Sequence, residues 1–145
     1  MTEMYSYLAA VTPGVPETQR LSKANDDAWA PRWKGTVGLN WSSGPYSVSA
    51  TGRYIGEYLD YQDAGPTTRQ LGNIWFCDLN ARYEVGKALA RTNSAFAGSV
   101  LSAGVVNAFN SLPAYSNYNG GIPGYDPAEY DIIGRLAYVN VALSW

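Results

Sequence analysis

The sequence predicts an all-β chain of about six antiparallel strands. Three observations carry that expectation. Aromatic residues are abundant, with 12 Tyr and 5 Trp, and aromatics favour the pleated surface of a strand. The 15 Gly and 8 Pro punctuate the chain into short segments. Only 15% of residues are charged, and long helices need more Leu, Glu and Lys than that leaves.

Alternation of apolar and polar residues sets out the strands in order. "TEMYSYLAAV", near the start, is a weak candidate. "RWKGTVGLNW" puts Trp33, Gly35, Val37, Leu39 and Trp41 on one face, against Arg32, Lys34, Thr36, Gly38 and Asn40. "SSGP" (Ser42 to Pro45) is a tight-turn signal. "YSVSATGRYIGEY" puts Tyr46, Val48, Ala50, Gly52, Tyr54, Gly56 and Tyr58 on one face, with Ile55 the exception on the other. "IWFCDLNARYEV" sets Trp75, Cys77, Leu79, Ala81, Tyr83 and Val85 against Asp78, Asn80, Arg82 and Glu84. In "GSVLSAGVVN" the faces are ambiguous, and Leu101, Ala103 and Val105 are the favoured apolar set. The last strand, "GRLAYVNVALSW", carries Ala137, Val139, Val141, Leu143 and Trp145 in a period-two stripe. The organisation is therefore a partial strand and long loop over 1–30, then a strand-rich stretch over 31–145.

The totals exclude several classes. A pI of about 5.0 and a net charge of −2 leave no basic footprint for nucleic acid. One cysteine, Cys77, rules out an internal disulfide framework. There is no histidine, the commonest metal ligand and general base, and no cofactor or metal is expected. The opening residues have no basic start or long apolar core like a secretory signal. No apolar run approaches the ~18 residues of a membrane helix.

Connections alternate in length. Those over 11–30, 59–73 and 108–132 are long and that over 86–95 intermediate, whereas the turn at 42–45 is short. Long loops thus gather at one end of the sheet, as in outer-membrane barrels. Aromatics sit at both ends of the apolar stripes: Trp33 and Trp41, Tyr46 and Tyr54, Trp75 and Tyr83. A spacing of eight residues at ~3.3 Å each, tilted by ~40°, spans roughly 20 Å of membrane normal. Two aromatic girdles around an apolar band are what a bilayer favours. The competing reading is a soluble β-sandwich whose apolar face is a core, since soluble sheets also alternate.

The residues also carry a family resemblance. "APRWKGTVGLNWSSGPYSVSATGRYIGEYLDY" and "CDLNARYEV" resemble the late strands of TonB-dependent outer-membrane receptors. "GVVNAFNSLP" is similar to their near-terminal element, and "YDIIGRLAYVNVALSW" to their closing strand, over about Pro31 to Trp145. The resemblance implies an incomplete section of a transmembrane β-barrel: the C-terminal strands of a longer receptor in the outer membrane of a Gram-negative bacterium. It implies a barrel-assembly signal in Val139, Val141, Leu143 and Trp145, read by the barrel assembly machinery. Trp145 departs from the more usual terminal Phe. The implied partners are outer-membrane lipid and, in the full-length parent, the TonB complex and an extracellular small-molecule ligand of siderophore, cobalamin or oligosaccharide class. About six strands cannot close a barrel, since the smallest single-chain ones have eight. No plug-like segment or TonB-contacting box is readable, so the segment alone is not expected to transport.

Three side-chain groups remain. Asp126, Glu129 and Asp131 cluster in the longest loop but miss the calcium-loop pattern; a solvated loop is expected. Tyr115, Tyr118, Tyr125 and Tyr130 lie in the same loop as possible ligand contacts, against self-packing. Arg53, Asp78, Arg82 and Glu84 have lumen-facing parity and should pair, because an unpaired buried charge is costly. "NWS" at Asn40 matches a glycosylation sequon, but within a strand it is taken as coincidence. No enzyme is expected. The alternatives are a soluble carbohydrate-binding module using the loop tyrosines, and a β-rich hydrolase using the three loop acids.

Overall fold

The computed structural model describes residues 2–3, 8–9, 18–19, 21–24, 29–60, 69–86, 98–116 and 124–144. Tyr118 and Trp145 lie outside them. The strands are β1 (Thr2–Glu3), β2 (Leu8–Ala9), β3 (Thr18–Gln19), β4 (Trp33–Ser43), β5 (Tyr46–Ile55), β6 (Tyr58–Leu59), β7 (Gln70–Leu71), β8 (Ile74–Glu84), β9 (Val100–Val106) and β10 (Leu136–Ala142). Six form one sheet in the order β1-β4-β5-β8-β9-β10, so the long strands meander in sequence order. β2–β3 and β6–β7 are separate antiparallel pairs. The chain is all-β, as its composition predicts. No helix among the described residues is long and apolar enough to cross a membrane, which says nothing of strands.

Each long strand forms where the period-two pattern runs uninterrupted. β4 turns into β5 through Gly44–Pro45, with Gly44 at φ +56. A positive φ followed by proline suits the two-residue hairpin turn that begins with glycine. The register of β8, β9 and β10 settles their faces. Leu79, Val105 and Ala137 lie in one row, Ala81, Ala103 and Val139 in the next, and Tyr83, Leu101 and Val141 in the third. The apolar parity of β9 is thus Leu101, Ala103 and Val105. Asn80, Gly104 and Tyr138 form a row on the opposite face, beside Arg82, Ser102 and Asn140.

The chain divides into two compact units. Met1–Thr36, Arg53–Trp75 and Leu112–Ile132 make the first, and Val37–Gly52, Phe76–Ser111 and Ile133–Trp145 the second. The first unit holds a small core of Leu21, Ala24, Ile55, Tyr58, Leu71 and Tyr130. Its backbone is tied by the Leu59 N–H donating to Ser22 O and the Ala24 N–H donating to Leu59 O, both at 2.9 Å. β6 and β7 leave the main sheet at Gly56 and Gly72, which pass in contact. A Cβ on Gly72 would lie 2.1 Å from Gly56 O, and its φ of +88 also excludes other residues. The second unit is different. Among its described residues only Phe76, Gly86, Ser99 and Asn107 are buried.

Asn107 closes the end of β9. Its N–H donates to Asp78 Oδ1 at 2.8 Å, its amide donates to Ser111 O at 2.7 Å, and its Oδ1 accepts the Ser111 N–H at 2.8 Å. It takes φ 51, a left-handed conformation that asparagine tolerates. Asn110 Oδ1 then accepts the Arg135 N–H at 2.9 Å, next to the start of β10.

Gly104 makes room for an aromatic ring. Asn80 Nδ2 donates to Tyr138 Oη at 2.9 Å, across the row that Gly104 occupies. A Cβ on Gly104 would meet Tyr138 Oη at 2.5 Å and Cζ at 2.6 Å. Gly104→Val should therefore destabilise the β9–β10 pairing by about 1–3 kcal/mol, the usual cost of forcing volume into filled space. Adding Tyr138→Ala should recover most of that loss. Urea unfolding of the four chains in a double-mutant cycle reads the coupling.

Candidate functional site

Two features stand out for function: an uncovered apolar face and a buried tyrosine–aspartate cluster. The face comes directly from the alternation. Val37, Leu39 and Trp41 on β4, Tyr46 and Val48 on β5, Leu79 on β8, Leu101 on β9 and Val139 and Val141 on β10 are all exposed. Leu39 is 70% and Val139 71% accessible. Every residue of β10 is exposed, and every residue of β4 except Gly35, so no layer of described residues covers either side of these strands. Burying a side chain such as leucine or valine is worth roughly 1.5–3 kcal/mol. A contiguous exposed stripe of them is unusual for a monomer in water.

Aromatic pairs mark both ends of this face. Tyr46 packs on Tyr83 with ring centroids 5.0 Å apart, and Tyr54 on Trp75 at 4.9 Å. The Tyr46–Tyr83 pair lies in the second unit, next to the Glu84 N–H that donates to Pro45 O, and the Tyr54–Trp75 pair lies in the first. Trp33 and Trp41 are exposed on the same face of β4. Leu143, past the end of β10, is exposed as well. The Ser144 N–H donates to Ser99 Oγ at 3.2 Å, which keeps the chain beyond β10 in line. Of the lumen-parity charges, Arg82 and Glu84 approach to 3.7 Å, and Asp78 caps Asn107. Arg82 is half exposed, so its pair contributes little stability.

The second feature corrects the expectation of a solvated acidic loop. Asp126 is 0% exposed. Tyr58 Oη donates to Asp126 Oδ2 at 3.1 Å, and the Ala128 N–H donates to Oδ1 at 3.0 Å. The Tyr130 N–H donates to Asp126 O at 3.1 Å, which closes the turn after Pro127. Tyr58, 2% exposed, stacks on Tyr130 at 6.3 Å and meets Trp29 at 4.4 Å. Ser116 Oγ donates to buried Asp60 at 2.6 Å. Glu129 pairs with Lys34 at 2.8 Å.

Tyr130, expected among possible ligand contacts, is only 7% exposed and packs on Tyr58, because its ring is needed to fill this core. Tyr125 is half-buried. Tyr115 is exposed, with the Arg69 guanidinium 5.0 Å above its ring and Arg69 Nη1 donating to its carbonyl at 2.9 Å. Sequence reasoning missed Asp60, Ser116 and Trp29 altogether. Among the described residues no group of three acidic, cysteine or histidine side chains gathers as a metal site.

Burial pushes the Asp126 carboxyl above its ordinary value, and the nearby Asp60 charge adds to this, while the Ala128 N–H and the Tyr58 hydroxyl pull the other way. Burial likewise pushes the Tyr58 and Tyr130 phenols up. Such phenols stay neutral and hold their hydrogen bonds at any ordinary pH, so the cluster acts as a clasp.

Above the ordinary carboxylate value of 3.8 and below its raised value, folded Asp126 holds a proton that the unfolded chain has lost. Its contribution to stability therefore falls as pH rises through that window. Urea midpoints followed by tryptophan fluorescence should drop as pH rises above the ordinary carboxylate value, and Asp126→Asn should flatten that slope. Parallel slopes would contradict the burial account. Tyr58→Phe, which removes the buried carboxyl's side-chain donor, should cost about 1–3 kcal/mol at neutral pH in the same assay.

Comparison with known proteins finds no family model, no curated protein and no solved structure that matches this chain.

Proposed function

We propose that this chain is wall of an outer-membrane β-barrel, the late strands of a TonB-dependent receptor that imports a scarce extracellular ligand. The observation that carries the reading is the sheet of β4, β5, β8, β9 and β10, whose apolar face lies exposed with aromatic pairs at both ends. Lipid covers such a face in a barrel, and interfacial rings border the hydrocarbon band. The sequence resemblance over the same strands supplies the receptor family. In this reading Val139, Val141, Leu143 and Trp145 serve assembly, the strands supply wall, and the loop-end clasp holds the extracellular side in form.

A soluble β-sandwich would need a second sheet over the apolar face, and the described residues supply none. The hydrolase reading loses its free acids, since Asp126 is buried against Tyr58 and Glu129 is paired with Lys34. A barrel needs at least eight strands and tolerates no open edge in lipid. Further strands must therefore flank β1 and β10 in the working protein.

Thr36 and Val37 are adjacent on β4, both exposed, and point to opposite faces. Val37→Arg should cost about 2–4 kcal/mol of membrane folding, the usual penalty near the bilayer midplane, while Thr36→Arg should be nearly neutral. Recovery of folded protein from the outer-membrane fraction measures both. An antibody to the 111–129 loop should detect a band several times larger than 15.7 kDa in that fraction. A soluble band near 15.7 kDa would overturn the proposal.

A further inference from the structure

We propose that Tyr58 is a redox-active tyrosine, which gives one electron through Trp29 to a peroxyl-type radical oxidant and its hydroxyl proton to Asp126. The proposal goes beyond the membrane-wall reading and does not rest on it. Trp29, Tyr58, Asp126 and Tyr130 all belong to the first compact unit. Packing alone leaves their arrangement unexplained. A hydroxyl and a carboxyl buried together cost desolvation, and an apolar pair of the same shape would serve a core as well or better.

Each of these neighbours has a part in the transfer. The Tyr58 ring is buried, with Tyr130 stacked on it at 6.3 Å, so its oxidised form is kept from the ring-to-ring coupling that consumes tyrosyl radicals in solution. A phenol that loses an electron becomes a strong acid, and its proton needs an acceptor already in place. Asp126 Oδ2 accepts the Tyr58 Oη hydrogen bond at 3.1 Å. Prior ionisation of the phenol is closed, because burial pushes it far up, so proton and electron leave together. The electron leaves by the indole of Trp29, which is half-buried and in ring contact at 4.4 Å.

In the step itself, the Tyr58 O–H bond breaks, the proton bonds to Asp126 Oδ2, and the phenol becomes a neutral radical. The peroxyl radical gains the electron and takes a proton from water to become a hydroperoxide. A one-electron reductant such as ascorbate then returns an electron to the ring, and Asp126 returns the proton. The oxidant is quenched and the chain is left intact. Asp126 accepts a proton only when ionised, and burial holds its carboxyl above 3.8. Among the described residues the charged groups bearing on it are Asp60, which pushes it up, and Lys34, which pulls it down and is paired with Glu129. The two phenols beside it, Tyr58 and Tyr130, are neutral. Radical formation should therefore weaken as pH falls through the raised Asp126 value.

The test uses the native protein, purified folded, oxidised with photoexcited ruthenium tris-bipyridine and persulfate and read by electron paramagnetic resonance. A persistent neutral tyrosyl signal should outlast the brief signals of exposed tyrosines. Tyr58→Phe should abolish it. Asp126→Asn, which keeps a hydrogen-bond acceptor but takes no proton, should slow its formation on the order of a hundredfold, the scale of a positioned proton acceptor. Trp29→Phe should slow it as well. No persistent signal in the native protein, or an equal one in Tyr58→Phe, would overturn the proposal. If the variants do not fold, the pH profile of the native protein decides. A persistent signal that weakens toward acid supports the transfer to Asp126, and one that stays constant overturns it.

Discussion

A β-sheet with an apolar face has to lay that face against something apolar, and the described residues of this chain leave it bare. Water does not tolerate such a surface cheaply, because each exposed leucine or valine forgoes burial worth roughly 1.5–3 kcal/mol. The second unit has a single buried apolar residue, Phe76, among its described residues. Side-chain packing cannot hold such a sheet, so order within it falls to its ladders and to polar devices. Asn107 ties β9 to the chain that follows, and Tyr138 reaches over Gly104 to Asn80. The proposed lipid environment supplies the missing half of the energetics, and it strengthens the ladders by removing competing water.

The same constraint explains why the buried residues of the first unit gather beyond the strand ends. β5 and β8 end beside Gly56 and Gly72, and past them the chain forms the separate pair β6 and β7. Past that point the side chains no longer face a stripe, and the chain builds an ordinary small core around Tyr58. Its polar members are satisfied one by one: Tyr58 on Asp126, Ser116 on Asp60, Lys34 on Glu129. In the proposed receptor this core lies outside the hydrocarbon band, where buried carboxylates are bearable because donors surround them.

The strands were legible because their signal is local. Period two places Trp33 to Trp41 and Trp75 to Tyr83 without knowledge of anything else, and Gly44–Pro45 names its own turn. The parity of β9 was harder, since "VLSAGVV" reads as apolar on either face, and pairing with β10 decided it. The clasp was not legible. Tyr58 and Asp126 are 68 residues apart, and "GYDPAEYD" has the composition of a solvated loop. One hint was present in Ile55, which broke the alternation of β5 and proves to be buried. Asp60 and Ser116 gave no signal, because burial of a short polar side chain leaves no periodic trace.

Cys77 offers the most direct test of what covers the apolar face. It is the chain's one cysteine and stands on β8 between Trp75 and Leu79 in the parity of that face. A nitroxide attached there, in the native protein folded in its membrane, should relax strongly with oxygen and weakly with a water-soluble nickel chelate. That pattern is the signature of lipid, and it is the result this account predicts. Strong relaxation by nickel would put the face in water. Weak relaxation by both would put it in a protein core, and either result would contradict the account.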